Sequence, residues 1–281
     1  MRIKVTADST CDLPQELLTQ HDITLIPLIV IKDNEEFYDC ETITPAEIFA
    51  HVANGGSLCS TAALSVGRYQ ELFEAYSGDY DGVVHVSIGS GFSSSYQNAC
   101  LAAEEFDNVR VIDSRSLSSG QGFIVLEAAK LAETCQSLDE LQEKLDDLAS
   151  RVEISFVLDR LEYMVKGGRC SSAAALGANL LNLKPCIEVK DGKLGVVKKY
   201  RGSYTKCLSA YIKDRLEGRE DVLDDALIFI TCTPVSEESY AAAKEGVLKY
   251  GKFRSIVENT AGCTVSCHCG PGTLGIIFVR K

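Results

Sequence analysis

Strands alternating with helices through the first half of the chain, and a hairpin inside the second, predict an α/β protein of two domains. The first, residues 1–150, holds a mostly parallel sheet; the second, residues 151–281, is α+β with a mixed sheet. Two apolar runs of strand length, Gly82–Ser87 ("GVVHVS") and Val109–Asp113 ("VRVID"), are each followed by a helical stretch, the pattern of a sheet covered on both faces. Asp191–Gly192 lies between two strand-like runs and signals a tight antiparallel turn. A length of 281 residues, 46% of them hydrophobic and 24% charged, suffices for one large core or two smaller ones.

The elements follow in order. Arg2–Ala7 reads as a strand, and Asp12, Leu13 and Pro14 open a helix with Asp12 as N-cap, because a short carboxylate accepts from free N–H groups of the first turn. Ile23–Ile31 is one apolar strand in which Pro27, lacking an N–H, points to an edge or a bulge. Thr44–Glu47 ("TPAE") is a capping box with Pro at the first helical position, and its helix runs to about Ala53. Gly55–Ser65 is a polar linker and Ser65–Tyr76 an amphipathic helix. A helix begins near Ser93–Ser95, another covers Ser118–Glu133, and a third covers Ser137–Ser150. This last has a capping box of Ser137 with Glu140 and an apolar stripe at Leu138, Leu141, Leu145 and Leu148.

In the second half Ile154–Leu158 is a strand, and Asp159–Arg169 is a short helix broken at Gly167–Gly168. Ser171–Leu183 is a helix of small residues and Pro185–Tyr200 the hairpin. Helices at Ser203–Glu217 and Ser236–Tyr250 alternate with strands at Ala226–Thr233 and Arg254–Asn259, and Thr273–Val279 is the last strand.

A formal net charge of −12 argues against a nucleic-acid partner, since phosphate backbones are bound by clustered Lys and Arg and only Lys198–Arg201 forms a short basic run. The first residues lack the apolar core of a signal peptide and no apolar run approaches ~18 residues, so a cytoplasmic location is expected. The twelve cysteines are mostly scattered singly (Cys100, Cys135, Cys186, Cys207, Cys232) and read as small buried hydrophobes in a reducing compartment, without structural disulfides.

Ligands of open parallel sheets sit beyond the carboxyl ends of the strands. Three such ends are rich in hydroxyls: Asp8–Thr10, the loop "SIGSGFSSSYQ" (Ser87–Gln97) and Asp113–Gly120. Hydroxyls and backbone N–H groups at a helix N-terminus suit an anion, although an N-cap and a tight turn explain Ser93–Ser95 equally well. The loop is not a nucleotide fingerprint: it lacks the third glycine of a dinucleotide loop and the Lys-Ser/Thr pair of a P-loop.

His85 lies in an apolar strand and reads as a satisfied core residue; His21 and His51 fall at helix ends or surfaces; His268 precedes a Gly-Pro turn. No nucleophile elbow and no base beside a serine is legible, so no catalytic residue is assigned. Cys263, Cys267 and Cys269 flank His268 with a C-x₃-C-x-C spacing that fits no common structural zinc pattern. They read as free thiols in a strand and turn, and neither metal nor cofactor is expected.

Taken in register, "ADSTCDLP", "SIGSGFSSSYQNA", "IDSRSLSSGQG", "LEYMVKGGR", "LNLKPCIEVKDGKL" and "HCGPGTLGIIF" resemble the segments of the DegV family of bacterial fatty acid-binding proteins, over essentially the whole chain. The resemblance implies two α/β domains around a lipid tunnel, with a long-chain fatty acid as ligand. A separate fatty acid kinase would be the partner that phosphorylates the presented carboxylate to an acyl phosphate, and a transient membrane-surface contact belongs to the same expectation.

Carried over residue by residue, it places the carboxylate on Thr61, in "TAALS", and Ser93, in "SGFSSSYQNA". Arg169 of the Gly-Gly-Arg segment and His268 become candidates near the head group or the kinase-facing surface, with Ser9 and Ser119 beside them. Ala62, Ala63 and Leu64 depart from the family's Ser, Gln and Pro, which removes one polar neighbour of Thr61. Against this binding role stand a serine-dependent esterase or phosphotransferase acting on a small anionic substrate, resting on the same serine loop, and a thiol-based metal or redox protein resting on the cysteine cluster.

Overall fold

Three sheets organise the chain. The first is fully parallel, in the order β2-β1-β6-β7: β1 is Ile3–Asp8, β2 Ile23–Ile26, β6 Gly82–Ser87 and β7 Val109–Asp113. A small antiparallel sheet, β4-β3-β5, is built from β3 (Ile29–Lys32), β4 (Glu35–Tyr38) and β5 (Ser60–Ala62). The third has six strands in the order β10-β9-β8-β13-β11-β12. They are β8 (Val152–Leu158), β9 (Leu183–Lys190), β10 (Lys193–Arg201), β11 (Leu227–Cys232), β12 (Ser255–Thr260) and β13 (Thr273–Val279). All its pairs are antiparallel except β11 with β12, so it is mixed, as the hairpin at Asp191–Gly192 predicts. The computed structural model describes residues 1–175, 183–220 and 222–281, and no described helix is long and apolar enough to cross a membrane.

The helices are α1 (Gln15–Gln20), α2 (Pro45–Ala53), α3 (Val66–Ser77), α4 (Ser95–Ala103), α5 (Ser119–Ala132), α6 (Leu138–Arg151), α7 (Glu162–Gly167), α8 (Ser171–Ala174), α9 (Tyr204–Leu216), α10 (Glu237–Tyr250) and α11 (Cys263–Cys269). Helices α3 and α4 cover one face of the parallel sheet through Tyr69, Phe73, Ala99 and Ala102. Helix α5 lies between the parallel and the mixed sheet: Ile124, Val125 and Leu126 share one core with Val5 and Val84 of the first and Ile154, Phe156 and Ile277 of the second. Its first eight residues, Ser119–Leu126, are buried on every side, and only its C-terminal half reaches solvent, through Glu127 and Lys130. Helices α9 and α10 close the far face of the mixed sheet over Ile228, Ile230 and Ile276.

Local chemistry accounts for most boundaries. Thr44 and Glu47 form the reciprocal capping box of α2, with Pro45 at its first position. Ser137 accepts from the Glu140 N–H, but the Glu140 carboxylate turns to the Gln136 N–H, so that box is only half closed. Several expectations are corrected. Asp12 does not cap α1: its φ of 49° places it in a left-handed turn, and α1 starts three residues later, behind Pro14. The single strand Ile23–Ile31 breaks at Pro27 into β2, an edge strand, and β3 in another sheet, because Pro27 has no N–H to continue a ladder. The linker Gly55–Ser65 contains β5. Cys263–Cys269 is a helix, not a strand and turn. Of the helix expected over Ser171–Leu183, α8 covers Ser171–Ala174, Leu183 begins β9, and 176–182 lie outside the described residues.

Candidate functional site

Hydroxyls at the carboxyl ends of the parallel strands are mostly spent on buried acids. Asp8, fully buried, accepts from Ser87 Oγ (2.7 Å), Tyr69 Oη (2.7 Å) and the Ile88 N–H (2.8 Å), with His85 Nε2 at 3.3 Å. Burial alone raises a carboxyl's pKa; His85 together with the Ser87 and Tyr69 hydroxyls outweighs that and holds Asp8 below the usual carboxylate range. His85 is the satisfied core residue the sequence suggests, its other nitrogen on Thr6 Oγ1 at 3.0 Å. Ser9 donates to Asp39 Oδ2 (2.8 Å), and Ser119 pairs with Thr231 Oγ1 (2.7 Å) and Asn259 (2.9 Å). Neither Ser9 nor Ser119 lines the cavity described next. An unbonded buried carboxylate or hydroxyl is costly, and these pairings remove that cost.

Thr61, Ser93, Arg169 and His268 do come together, around one narrow cavity. Thr61 comes from β5 and Ser93 from the loop before α4; Arg169 follows α7, and α11 supplies Thr264, Val265, His268 and Cys269. Leu117, Phe156, Met164 and Leu194 complete an apolar wall. The space measures ≈ 60 Å³. A second of ≈ 30 Å³ shares Leu117, Phe156, Val265 and Cys269 with it and continues past Ile154, Ala261 and Ile277. Cys269, pushed up to about 12 by burial, stays a neutral thiol in both walls.

The polar groups gather on α11 and its neighbours. His268 Nε2 lies 2.9 Å from Thr61 Oγ1. Burial, with the Arg169 charge added, lowers His268 to about 4, so the imidazole is neutral at pH 7. Its Nδ1 is buried and has no partner among the described residues, and neither has Thr264 Oγ1, one helical turn earlier. A Cβ on Gly167 would stand 2.4 Å from His268 Nδ1, so this position admits only glycine beside the ring. Exposed Arg169 donates to the Gly167 carbonyl (2.8 Å), capping its own helix while its side chain also borders the cavity.

Ser93 Oγ accepts from the Ser95 N–H (3.1 Å) and lies 2.8 Å from Ser95 Oγ. Either hydroxyl can donate in that pair; with Ser95 Oγ as the donor, the Ser93 hydrogen is free to be donated to an anion at the N-terminus of α4. Among the described residues no carboxylate lines the cavity and Arg169 is its one permanent charge. The glycine at Gly91 serves packing, since a Cβ there would stand 2.0 Å from the Gly192 carbonyl at the hairpin tip.

Thr264 escaped the sequence reading because the segment around it reads as strand; a hydroxyl four residues before His268 is the signal that a helical reading would have exposed. The cysteine cluster is divided by the same helix. Cys269 faces the cavity, whereas Cys263 and Cys267 pack with Val30 and Ile48 against the small sheet and α2.

The family model described as "Uncharacterised protein, DegV family" matches residues 2–281. A DegV domain-containing protein of Clostridium acetobutylicum is 28% identical, over 100% of this chain and 99% of its own. The solved structure of a DegV family protein from Thermus thermophilus, described as fatty acid-binding, superposes with a TM-score of 0.90 at 29% identity, covering 100% of both chains. A stearic acid-binding protein from Eubacterium ventriosum superposes with a TM-score of 0.84 at 28% identity, over 99% of this chain and 98% of that one. The family match over residues 2–281 and the superposition over nearly the whole length lead to one conclusion: the chain belongs to the DegV family.

Proposed function

We propose that this protein binds a long-chain fatty acid, its hydrocarbon tail in the apolar cavity and its carboxylate held by Thr61 and Ser93, with His268 and Arg169 at the same polar end. The observation that carries the reading is one greasy space lined by Thr61, Ser93, Thr264 and His268 with an arginine at its edge, His268 Nδ1 and Thr264 Oγ1 being buried without a partner among the described residues. Buried polar groups without partners are rare in native proteins, and an incoming carboxylate supplies acceptors for whichever of them carry hydrogen. The described structures of relatives that bind fatty acids support the ligand class.

Energetics divide the work. Each buried methylene contributes about 0.8 kcal/mol, so a tail of ~14 methylenes grosses about 11 kcal/mol. A hydrogen bond to a charged group adds roughly 1.5–3 kcal/mol. The tail sets affinity; the head contacts set register. A space of ≈ 60 Å³ is well below the ~300 Å³ of a typical ligand pocket, so admitting a tail requires side chains such as Phe156, Met164 and Leu194 to swing aside.

The exposure of Arg169 supports a carboxylate end reachable from outside, and so a carrier that offers its ligand to a separate kinase for conversion to an acyl phosphate. In this reading residues 1–150 carry Thr61 and Ser93, and residues 151–281 carry Arg169 and His268. Organic extraction of purified protein followed by mass spectrometry is expected to yield one fatty acid per chain. Thr61→Ala and Ser93→Ala each lower retention while circular dichroism is unchanged. Finding no fatty acid, even after incubation with palmitate or oleate, would overturn the proposal. No specific observation favours the esterase: the imidazole at this site bonds Thr61, not Ser93.

A further inference from the structure

Away from the cavity, acidic and thiol side chains crowd one point beside the start of α11. A Cβ placed on Gly262 would stand 2.8 Å from Asp12 Oδ1, 3.3 Å from Cys40 Sγ and 3.5 Å from Asp39 Oδ1. Asp39, Cys40 and Cys263 each offer one ligand atom, and these atoms lie within 4.8 Å of one another. Asp12 and Asp39 are 7% and 2% exposed.

Both buried carboxyls have only neutral partners. Asp12 accepts from Ser118 Oγ (2.5 Å) and the Gly262 N–H (2.9 Å); Asp39 accepts from Ser9 Oγ (2.8 Å) and the Cys263 N–H (2.8 Å). Among the described residues no lysine, arginine or histidine pairs with either.

The spacing of the thiols distinguishes two chemistries. Cys40 Sγ and Cys263 Sγ are 3.7 Å apart. A disulfide holds its sulfurs at about 2.05 Å. Two thiolates on a tetrahedral zinc ion, each at ~2.3 Å, stand roughly 3.8 Å from each other. That separation is the one a shared ion imposes, and it is equally that of the thiol–thiol contact seen here, in which Cys263 Sγ also reaches the Ile43 carbonyl at 3.1 Å. A cleft of ≈ 440 Å³, bordered by Ser9, Asp12, Asp39, Cys40 and Gly262, reaches Cys40, which is itself exposed, while Cys263 is buried behind it.

We propose that Asp39, Cys40 and Cys263 bind one divalent cation of borderline softness, of the zinc class, with water in the fourth position. One carboxylate and two thiolates are a donor set suited to such an ion. The site joins the turn after β4 to the first turn of α11, five residues ahead of His268, and so fixes the helix that carries the polar end of the cavity. Its ligands are remote in sequence, which is why the spacing of the C-terminal cysteines gave no sign of it.

Protein prepared with a chelator and a phosphine reductant, then freed of both, is titrated with Co²⁺ and afterwards with Zn²⁺. The expected result is a sulfur-to-cobalt charge-transfer band in the near ultraviolet that saturates at one equivalent and is displaced by Zn²⁺. Cys40→Ser and Cys263→Ser abolish the band, Asp39→Asn weakens binding at least tenfold, and Cys100→Ser leaves the titration unchanged. Because Cys40 is exposed, Cys40→Ser decides the matter where Cys263→Ser fails to fold. No band in the wild type, a band surviving in Cys40→Ser, or a Cys40–Cys263 disulfide in protein that takes up no metal after reduction overturns the proposal.

Discussion

His268 keeps its neutral form because protonation would bury a charge beside Arg169. With a folded value of about 4 against an ordinary 6.5, the unfolded chain binds more protons between those values. The stabilisation is therefore full above pH 6.5 and is lost as pH falls through 4. Chemical denaturation at pH 7 and pH 4.5 is expected to show the wild type losing about 2 kcal/mol more than His268→Gln; equal losses would contradict a buried neutral imidazole. Thr264→Val makes the opposite kind of prediction. Removing a hydroxyl that has no partner leaves stability unchanged or raises it by about 1 kcal/mol, while affinity for a fatty acid drops severalfold by competition titration. A stability loss of 2 kcal/mol or more would show that the hydroxyl is bonded after all. Gly167→Ala places a methyl against the imidazole, and weaker fatty acid retention is expected with the Thr61 contact disturbed; unchanged retention would detach Gly167 from the site.

At the scale of elements, legibility followed local chemistry. The capping box of α2, the strands Gly82–Ser87, Val109–Asp113 and Thr273–Val279 and the turn at Asp191–Gly192 carry their own signals and were readable to the residue. Elements that owe their form to burial were not. Helix α11 is made of Cys, Thr, Val, Ser and His, all weak helix formers, and it is helical because Cys263, Ser266 and Cys267 are buried against neighbours remote in sequence. Strand β5 is three residues long and exists only as a partner of β3. The same holds for the site. Thr61, Ser93, Arg169 and His268 were named through motif resemblance, whereas their meeting depends on α11 and β5, two of the elements that local pattern misread. Ser9 and Ser119 lie at the hydroxyl-rich strand ends, yet their hydroxyls answer to Asp39 and Thr231 instead. A pattern of residues does not disclose which buried acid will claim a hydroxyl.

Over the whole molecule, α5 unites the two large sheets, with Phe123 edge-on to Phe229 at 4.9 Å and a single core running from Val5 to Ile277. A shared core of this kind predicts one cooperative unfolding transition. Far-UV circular dichroism and tyrosine fluorescence should give coincident urea curves, and two separated transitions would show that the sheets melt independently. Ile124→Ala, at the centre of that helix, is expected to lower stability by roughly 2–5 kcal/mol.

The position of β13 bears on how the protein is made. This strand sits between β8 and β11 in the middle of the mixed sheet, yet it leaves the ribosome after every other strand. Val152 pairs with Val279 across more than a hundred residues, so nascent β8 waits through most of that stretch of translation for its neighbour. His268, only a few residues ahead of β13, reaches Thr61 equally late. On the function proposed above, lipid capture is thus a privilege of chains whose synthesis has passed this strand, and a stalled fragment, however well its early half has folded, has no means of taking cargo.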